Sequence, residues 1–209
     1  DLTGANSDTV ALDVLGFGAS SNTVSVQATT AALALSGFAS GETLTIAGSN
    51  AGNTITLTGA FTGTSDVVNI NLNNAAGGTV SAGSVETVNI NSSVASGVLT
   101  LTDAAATLVT VSGTGALSLT TTSATVTASS LSGALTITAG STGAATITGG
   151  LGNDQLTAHT GSTIADVLIG GAGNDTLTSN AGLTTLTGGT GADTFVVASV
   201  TSSVNVYTT

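Results

Sequence analysis

Three aspartates carry the chemistry that this chain offers: Asp154, Asp175 and Asp193. Each closes a glycine-rich stretch, GGLGND at 149–154, GGAGND at 170–175 and GGTGAD at 188–193. An apolar residue follows two positions later, Leu156, Leu177 or Phe195. The pattern G-G-x-G-x-D-x-U-x, with U apolar, therefore occurs three times in close succession. Carboxylates together with main-chain carbonyls are what a hard divalent cation takes, about six to eight oxygens at roughly 2.3–2.6 Å for Ca²⁺. Glycine lets such a turn reach positive φ and aim its carbonyls at the ion. The expected ligands are the carbonyls of Gly149, Gly150, Gly152, Gly170, Gly171, Gly173, Gly188, Gly189 and Gly191, with carboxylates from Asp154, Asp175 and Asp193.

The spacing sets what must position these residues. Nonapeptides of this kind are the calcium-binding unit of a parallel β-roll, six residues in the turn and three in a short strand. Two nonapeptides make one coil, so turns that are two nonapeptides apart stack on one edge. Asp175 to Asp193 is one coil, and Asp154 to Asp175 is one coil plus a three-residue insertion. The three aspartates should line one edge about 4.8 Å apart, with one ion between the first two loops and another between the last two. Loops on the opposite edge fall at 138–146, 158–167 and 179–185, and only Asp166 supplies an acid there. A partial cation site is one reading of Asp166; a hydrogen-bonding or capping aspartate is the preferred one.

Composition limits the partners. The 209 residues include no Lys or Arg against 11 acids, for a formal charge of −11. That excludes nucleic-acid binding through the phosphate backbone by the usual basic contacts and speaks against attraction to anionic membranes. It suits a chain that recruits cations. With 5% charged and 41% hydrophobic residues, this is no charged disordered tail. The apolar residues are mostly Ala, Val, Leu and Ile, with four Phe and one Tyr, which suits a thin core. Without cysteine there is neither disulfide nor thiolate metal site. No apolar run approaches the length of a membrane-spanning helix, so no membrane insertion is expected. No signal peptide is visible, and the chain reads as an internal or C-terminal-region fragment of something longer.

Short alternating runs recur from Val10–Val14 through Val24–Val26, Leu33–Leu35, Leu44–Ile46, Ile55–Leu57, Val68–Leu72 and Val88–Ile90 to Leu99–Leu101 and Val109–Val111. Leu117–Leu119, Thr125–Thr127, Leu135–Ile137 and Thr146–Thr148 continue the series into the nonapeptides. Period-two alternation of aliphatic residues against Thr, Ser and Asn, broken by Gly, Ser and Asn, predicts strands, and no stretch has a helical stripe. V-N-I-N stands at 68–71 and again at 88–91, and L-V-T-V follows after the same interval at 108–111. That interval suits one coil of a β-helix or β-roll, in which stacked Asn side chains would pair their amides. The fold predicted is all-β: a parallel β-solenoid, with calcium-binding coils toward the C-terminus. The competing fold is a β-sandwich over the first part followed by a calcium roll. The expected division is 1–148 strand-rich solenoid, 149–197 calcium roll and 198–209 terminal strand or tail.

Other acids are less legible. Asp66 and Glu86 each stand just before a V-N-I strand, as ligands for further ions between coils or as solvated acids. Asp1, Asp8, Asp13, Glu42 and Asp103 fit no pattern. Catalytic constellations are missing. One histidine, His159, does not make a two-histidine zinc helix, and no G-x-S-x-G elbow accompanies it. Without Lys and Arg there is no P-loop, Schiff base or anion clamp. Glycosidase chemistry needs two facing carboxylates, and the best-placed ones serve the calcium edge. No catalytic activity is expected.

The block 149–197 resembles the RTX repeats of proteins exported by type I secretion. With FTGTSDVVNINLNNAAGGTVSAGSVETVNI at 61–90 and the Thr-, Ala-, Val-, Ser- and Gly-dominated composition, the chain resembles the surface-layer (S-layer) proteins of Gram-negative bacteria that carry such repeats. The resemblance implies a secreted structural protein at the bacterial cell surface, assembling with copies of itself into a two-dimensional lattice that needs calcium. It also implies a secretion signal and an anchoring region, which are not found in this chain; cell-surface polysaccharide is then a partner of regions outside it. Two rivals share the repeats: a stalk or binding segment of a secreted RTX adhesin, and the calcium-roll portion of a secreted RTX enzyme. Ala192 stands where the first two repeats have Asn153 and Asn174, a change in a turn amide rather than in a ligand.

Overall fold

The computed structural model describes residues 2–4, 10–13, 23–29, 32–48, 53–59, 61–73, 78–95, 97–103, 105–140, 143–160, 165–180, 183–197 and 204–207. Val14 and parts of the three opposite-edge loops (141–142, 161–164 and 181–182) lie outside them, as do 198–203 and 208–209 of the terminal segment.

Among the described residues one sheet has 11 strands and the other 10. The first holds β1 (Leu2–Gly4), β3 (Thr23–Thr29), β5 (Thr43–Ile46), β7 (Val67–Leu72), β9 (Thr87–Ser92), β11 (Leu108–Gly113), β13 (Thr125–Leu131), β15 (Thr146–Thr148), β17 (Val167–Ala172), β19 (Thr184–Thr190) and β21 (Val204–Tyr207). The second holds β2 (Val10–Asp13), β4 (Leu33–Phe38), β6 (Thr54–Gly59), β8 (Gly78–Ala82), β10 (Val98–Thr102), β12 (Leu117–Thr121), β14 (Leu135–Ala139), β16 (Gln155–Thr157), β18 (Thr176–Ser179) and β20 (Thr194–Val197). Each strand pairs in parallel with the strand two places along the chain, and successive strands alternate between sheets. The chain thus winds as a β-solenoid, one strand of each sheet per coil. A β-sandwich, which would pair neighbouring strands antiparallel, is not what forms over the first part. Among the described residues there is no helix, and so none long and apolar enough to cross a membrane.

Alternation explains the winding. Aliphatic residues at every second position face the other sheet, and Thr, Ser or Asn faces out. In the smaller sheet Leu99, Leu119, Ile137, Leu156, Leu177 and Phe195 stand in one register column. In the larger sheet Val68, Val88, Val109, Val126, Ile147, Leu168 and Leu186 do the same. All of these except the partly buried Phe195 belong to one core, in which Phe38 and Phe61 are the only buried aromatics among the described residues. Each fully buried Leu, Ile or Val contributes about 1.5–3 kcal/mol, and neighbours in a column cover one another. The apolar U positions of the nonapeptides therefore extend a column that starts well before them.

The V-N-I-N repeat marks one coil. Val68, Asn69, Ile70 and Asn71 pair with Val88, Asn89, Ile90 and Asn91, and the Asn89 side-chain amide donates to Oδ1 of Asn69 at 3.0 Å. Both sheets pass from the strand-rich region into the nonapeptides without interruption, through the β13–β15–β17 and β14–β16–β18 pairings. Within 198–209, Val204–Tyr207 forms a strand beside β19.

Candidate metal centre

The turns that lead from the larger sheet into the smaller one form the repeat edge. Asp154, Asp175 and Asp193 stand there immediately before β16, β18 and β20, one per coil. They are tied in series. The Asp175 amide donates to Oδ1 of Asp193 at 3.0 Å, and the Asp154 amide to Oδ1 of Asp175 at 2.8 Å. The Leu135 amide donates to Oδ1 of Asp154 at 2.7 Å. Each carboxylate thus reaches back and fixes the turn of the preceding coil. The shorter coil from Asp175 to Asp193 and the longer one from Asp154 to Asp175, with its insertion, both preserve this stacking. The extra three residues fall on the other edge, between Leu156 and Leu168; the corresponding step from Leu177 to Leu186 has no insertion.

Glycine is required around these carboxylates for two reasons. At Gly170 the reason is space. A Cβ there would run into Oδ2 of Asp175 and stand 2.5 Å from the carbonyl oxygen of Gly188. The same clash with the loop's own aspartate recurs at Gly149 and Gly188. At Gly171, Gly173, Gly189 and Gly191 the backbone takes the positive φ expected of them, +107° to +129°. Gly149, Gly150, Gly152, Gly170 and Gly188 do not take it. All twelve residues expected at the site are thereby brought onto one edge. A second ladder runs beside the aspartates: the Asn174 amide donates to Oδ1 of Asn153, and the Ala192 amide to Oδ1 of Asn174, both at 2.8 Å. Ala192 receives this support without offering any, so the Asn-to-Ala change falls at the last rung.

The oxygens of this edge fit a hard cation. Asp154, Asp175 and the amide-bonded turns carry no basic partner, since the chain has no Lys or Arg. Both oxygens of Asp154 accept amides, Oδ2 from Gly150 at 2.6 Å. Oδ2 of Asp175 is buried and accepts none, and it lies with the Gly188 carbonyl oxygen beside Gly170. A buried carboxylate oxygen without a donor is costly, and a bound cation removes that cost. Among the described residues no three acidic or histidine side chains converge on a point. Carbonyls and water must therefore supply most of any shell, as Ca²⁺ accepts. Burial pushes the Asp175 carboxyl up to about 6, and the neighbouring charges of Asp154 and Asp193 add to this. Burial also raises Asp154, against the lowering effect of its amide bonds.

On the opposite edge Asp166 is 1% exposed and accepts the Ala145 amide at 2.8 Å and the His159 amide at 2.7 Å. It caps two turns, as preferred from sequence. Asp66 and Glu86 are joined, the Asp66 amide donating to Oε2 of Glu86 at 2.8 Å, while Oδ2 of Asp66 accepts the Gly63 amide at 2.9 Å. Neither is simply solvated: Asp66 is buried and Glu86 half-buried. Asp103, which fits no sequence pattern, proves to be buried as well.

Sequence reading also placed the start of the stacked glycines too late. Gly115, Gly133, Gly152, Gly173 and Gly191 occupy one column, each Cβ position after the first falling on the backbone of the glycine one coil earlier. The overlooked signal is G-A-L at 115–117 and again at 133–135, the same interval as from Asp175 to Asp193. Those turns lack the aspartate, so the nonapeptide pattern passes over them.

Residues 139–162 and 160–195 match the family described as RTX calcium-binding nonapeptide repeat (4 copies). The stacked turns of this segment are an RTX-type calcium-binding β-roll, and calcium is the ion that such repeats bind. No curated protein matches the chain.

Proposed function

We propose that this chain is a structural segment of an S-layer protein, folding with calcium and assembling with copies of itself into a two-dimensional lattice on the bacterial surface. The observation that carries the reading is the continuity of the calcium roll with the rest of the solenoid. The loops that hold calcium belong to sheets that extend back through β3 and β5. On this reading ion binding at Asp154, Asp175 and Asp193 stiffens the stacked coils. The sequence at 61–90 and the lack of basic residues support the S-layer assignment over other RTX proteins, which are typically secreted as well.

The physical route starts from repulsion. Three carboxylates one coil apart, with no basic side chain in the chain, oppose stacking while they are ionised. Bound calcium supplies the missing positive charge, and its binding free energy becomes folding free energy. The aspartates hold the preceding turns by their amides, and the glycines let successive turns approach. A low-calcium cytoplasm then keeps the chain unfolded for export, and calcium outside folds it. Chain surfaces beyond the roll make the lattice contacts, and the lack of Lys and Arg leaves trypsin-like proteases no cleavage site.

Electron microscopy of the purified protein with and without Ca²⁺ tests this. Ordered sheets that form with calcium and dissolve in chelator are expected. Calcium-dependent folding into dispersed rods would move the assignment to an adhesin stalk.

A further inference from the structure

Among the described residues five acids stand at turns leading from the smaller sheet into the larger one: Glu42, Asp66, Glu86, Asp103 and Asp166. Asp166 is used as a cap, and Glu42 accepts the Ala39 amide at 2.9 Å within its own turn. Asp66, Glu86 and Asp103 lie on three successive coils and behave differently. The Asp66 amide binds the Glu86 carboxylate one coil on, as the Asp154 amide binds Asp175 on the repeat edge. Asp103 continues the inward-facing series Leu99, Leu101 and is 3% exposed. Its Oδ1 accepts the Ala105 amide at 3.0 Å. Its Oδ2 is buried with no hydrogen-bond partner; the Val85 and Ala106 amides lie near the carboxyl without closing a bond to that oxygen.

Among the described residues only one other carboxylate oxygen is in this state, Oδ2 of Asp175, within the calcium loops. The same physics applies to both. A buried carboxylate needs a donor or a counter-charge, and this chain holds no Lys or Arg to provide one. Glu86 adds a like charge nearby. We propose that Asp103 and Glu86 form a second divalent-cation site, on the edge opposite the RTX repeats, taking Ca²⁺ through Oδ2 of Asp103 and the Glu86 carboxylate, with carbonyl oxygens and water completing the shell. The site would pin together two coils that lie well before the repeats. It does not depend on the lattice assignment.

Counting calcium ions per chain by equilibrium dialysis of the whole protein against CaCl₂ tests the site. Glu86→Gln and Asp103→Asn should each lower the count by one. Glu86 is half-buried and Gln keeps an oxygen for the Asp66 amide, so this variant reads the site even where Asp103→Asn fails to fold. Asp175→Asn should remove repeat-bound calcium and leave the Glu86-dependent ion, which separates this site from the RTX roll. An unchanged count in Glu86→Gln overturns the proposal. So does an Asp103→Asn variant that folds at lower calcium than the unchanged chain and binds as many ions, because a proton then holds the buried carboxyl.

Discussion

The main-chain amide of Asp154 donates to Oδ1 of Asp175, 2.8 Å away and one coil further along the chain. The bond gives the roll a direction. Every aspartate in the series organises the turn before it, so Asp193 serves Asp175, Asp175 serves Asp154, and Asp154 serves Leu135. The last of these bonds leaves the nonapeptides and enters a turn that has glycine but no acid. Calcium held by the repeats is in this way coupled to a coil that carries no repeat.

Asp175 is the member that both expected ions share. Replacing it by Ala removes the acceptor of the Asp154 amide and the orphan Oδ2 together. A hydrogen bond to a charged group is worth about 1.5–3 kcal/mol, so the calcium midpoint for folding should rise roughly tenfold or more. Asp154→Ala and Asp193→Ala should raise it less. A calcium titration followed by far-ultraviolet circular dichroism checks the order, and equal midpoints in all three variants refute the shared position.

Two glycines separate strain from steric exclusion. Gly41 has φ +91° and open space around a Cβ, so Gly41→Ala should cost only backbone strain, about 1–2 kcal/mol. Gly189 has φ +107°, and its Cβ would fall on the Gly171 carbonyl of the coil before. Gly189→Ala must push two coils apart, and folding should then need far more calcium or fail. Thermal melts of both variants in saturating CaCl₂ measure the difference; similar losses would mean that the turns are not stacked as closely as described.

The solenoid was legible because its signal is local. In Val68–Leu72 and Val88–Ile90 the buried positions alternate within a few residues, and the offset between the two runs is one coil. The repeat edge was legible because four residues of fixed type recur with one coil's spacing. Strand β8, Gly78–Ala82, was missed because Val80 is its only large apolar residue, and its inward partner is Ala82. The Gly115–Gly133 column was missed because a glycine with no acid beside it looks like any turn. Asp103 was missed because its role depends on burial, set by the coils around it. Neighbours in sequence do not reveal that.

Asp166 offers a test of the opposite edge near the repeats. Asp166→Ala leaves the Ala145 and His159 amides without their acceptor in a buried corner. An unsatisfied buried amide costs about 1–3 kcal/mol, so the buried Ala145 amide alone should cost roughly that much stability, and the part-buried His159 amide adds to it. The number of bound calcium ions should not change. A lower ion count by equilibrium dialysis would show that Asp166 is a ligand and not a cap.

Acid and calcium should pull stability in opposite directions through Asp175. Its folded-state carboxyl is pushed from 3.8 up to about 6, chiefly by burial. The folded chain therefore binds this proton more tightly than the unfolded chain does. That contribution to stability is fully present below the unfolded value, near pH 4, and is lost as pH rises through about 6. Two pKa units correspond to roughly 3 kcal/mol at most. In chelator the chain should hold more β-structure, by far-ultraviolet circular dichroism, at pH 5 than at pH 7.5, where the ionised carboxylates keep it unfolded. Where calcium is limiting the order should reverse, because protons compete with the ion for the same oxygens and calcium binding releases them. Circular dichroism at both pH values in chelator, and melting curves in limiting CaCl₂, read both halves. A dichroism signal in chelator that does not respond to pH between 5 and 7.5 would place the Asp175 carboxylate in water, and with it would go the reason for a cation to be held there.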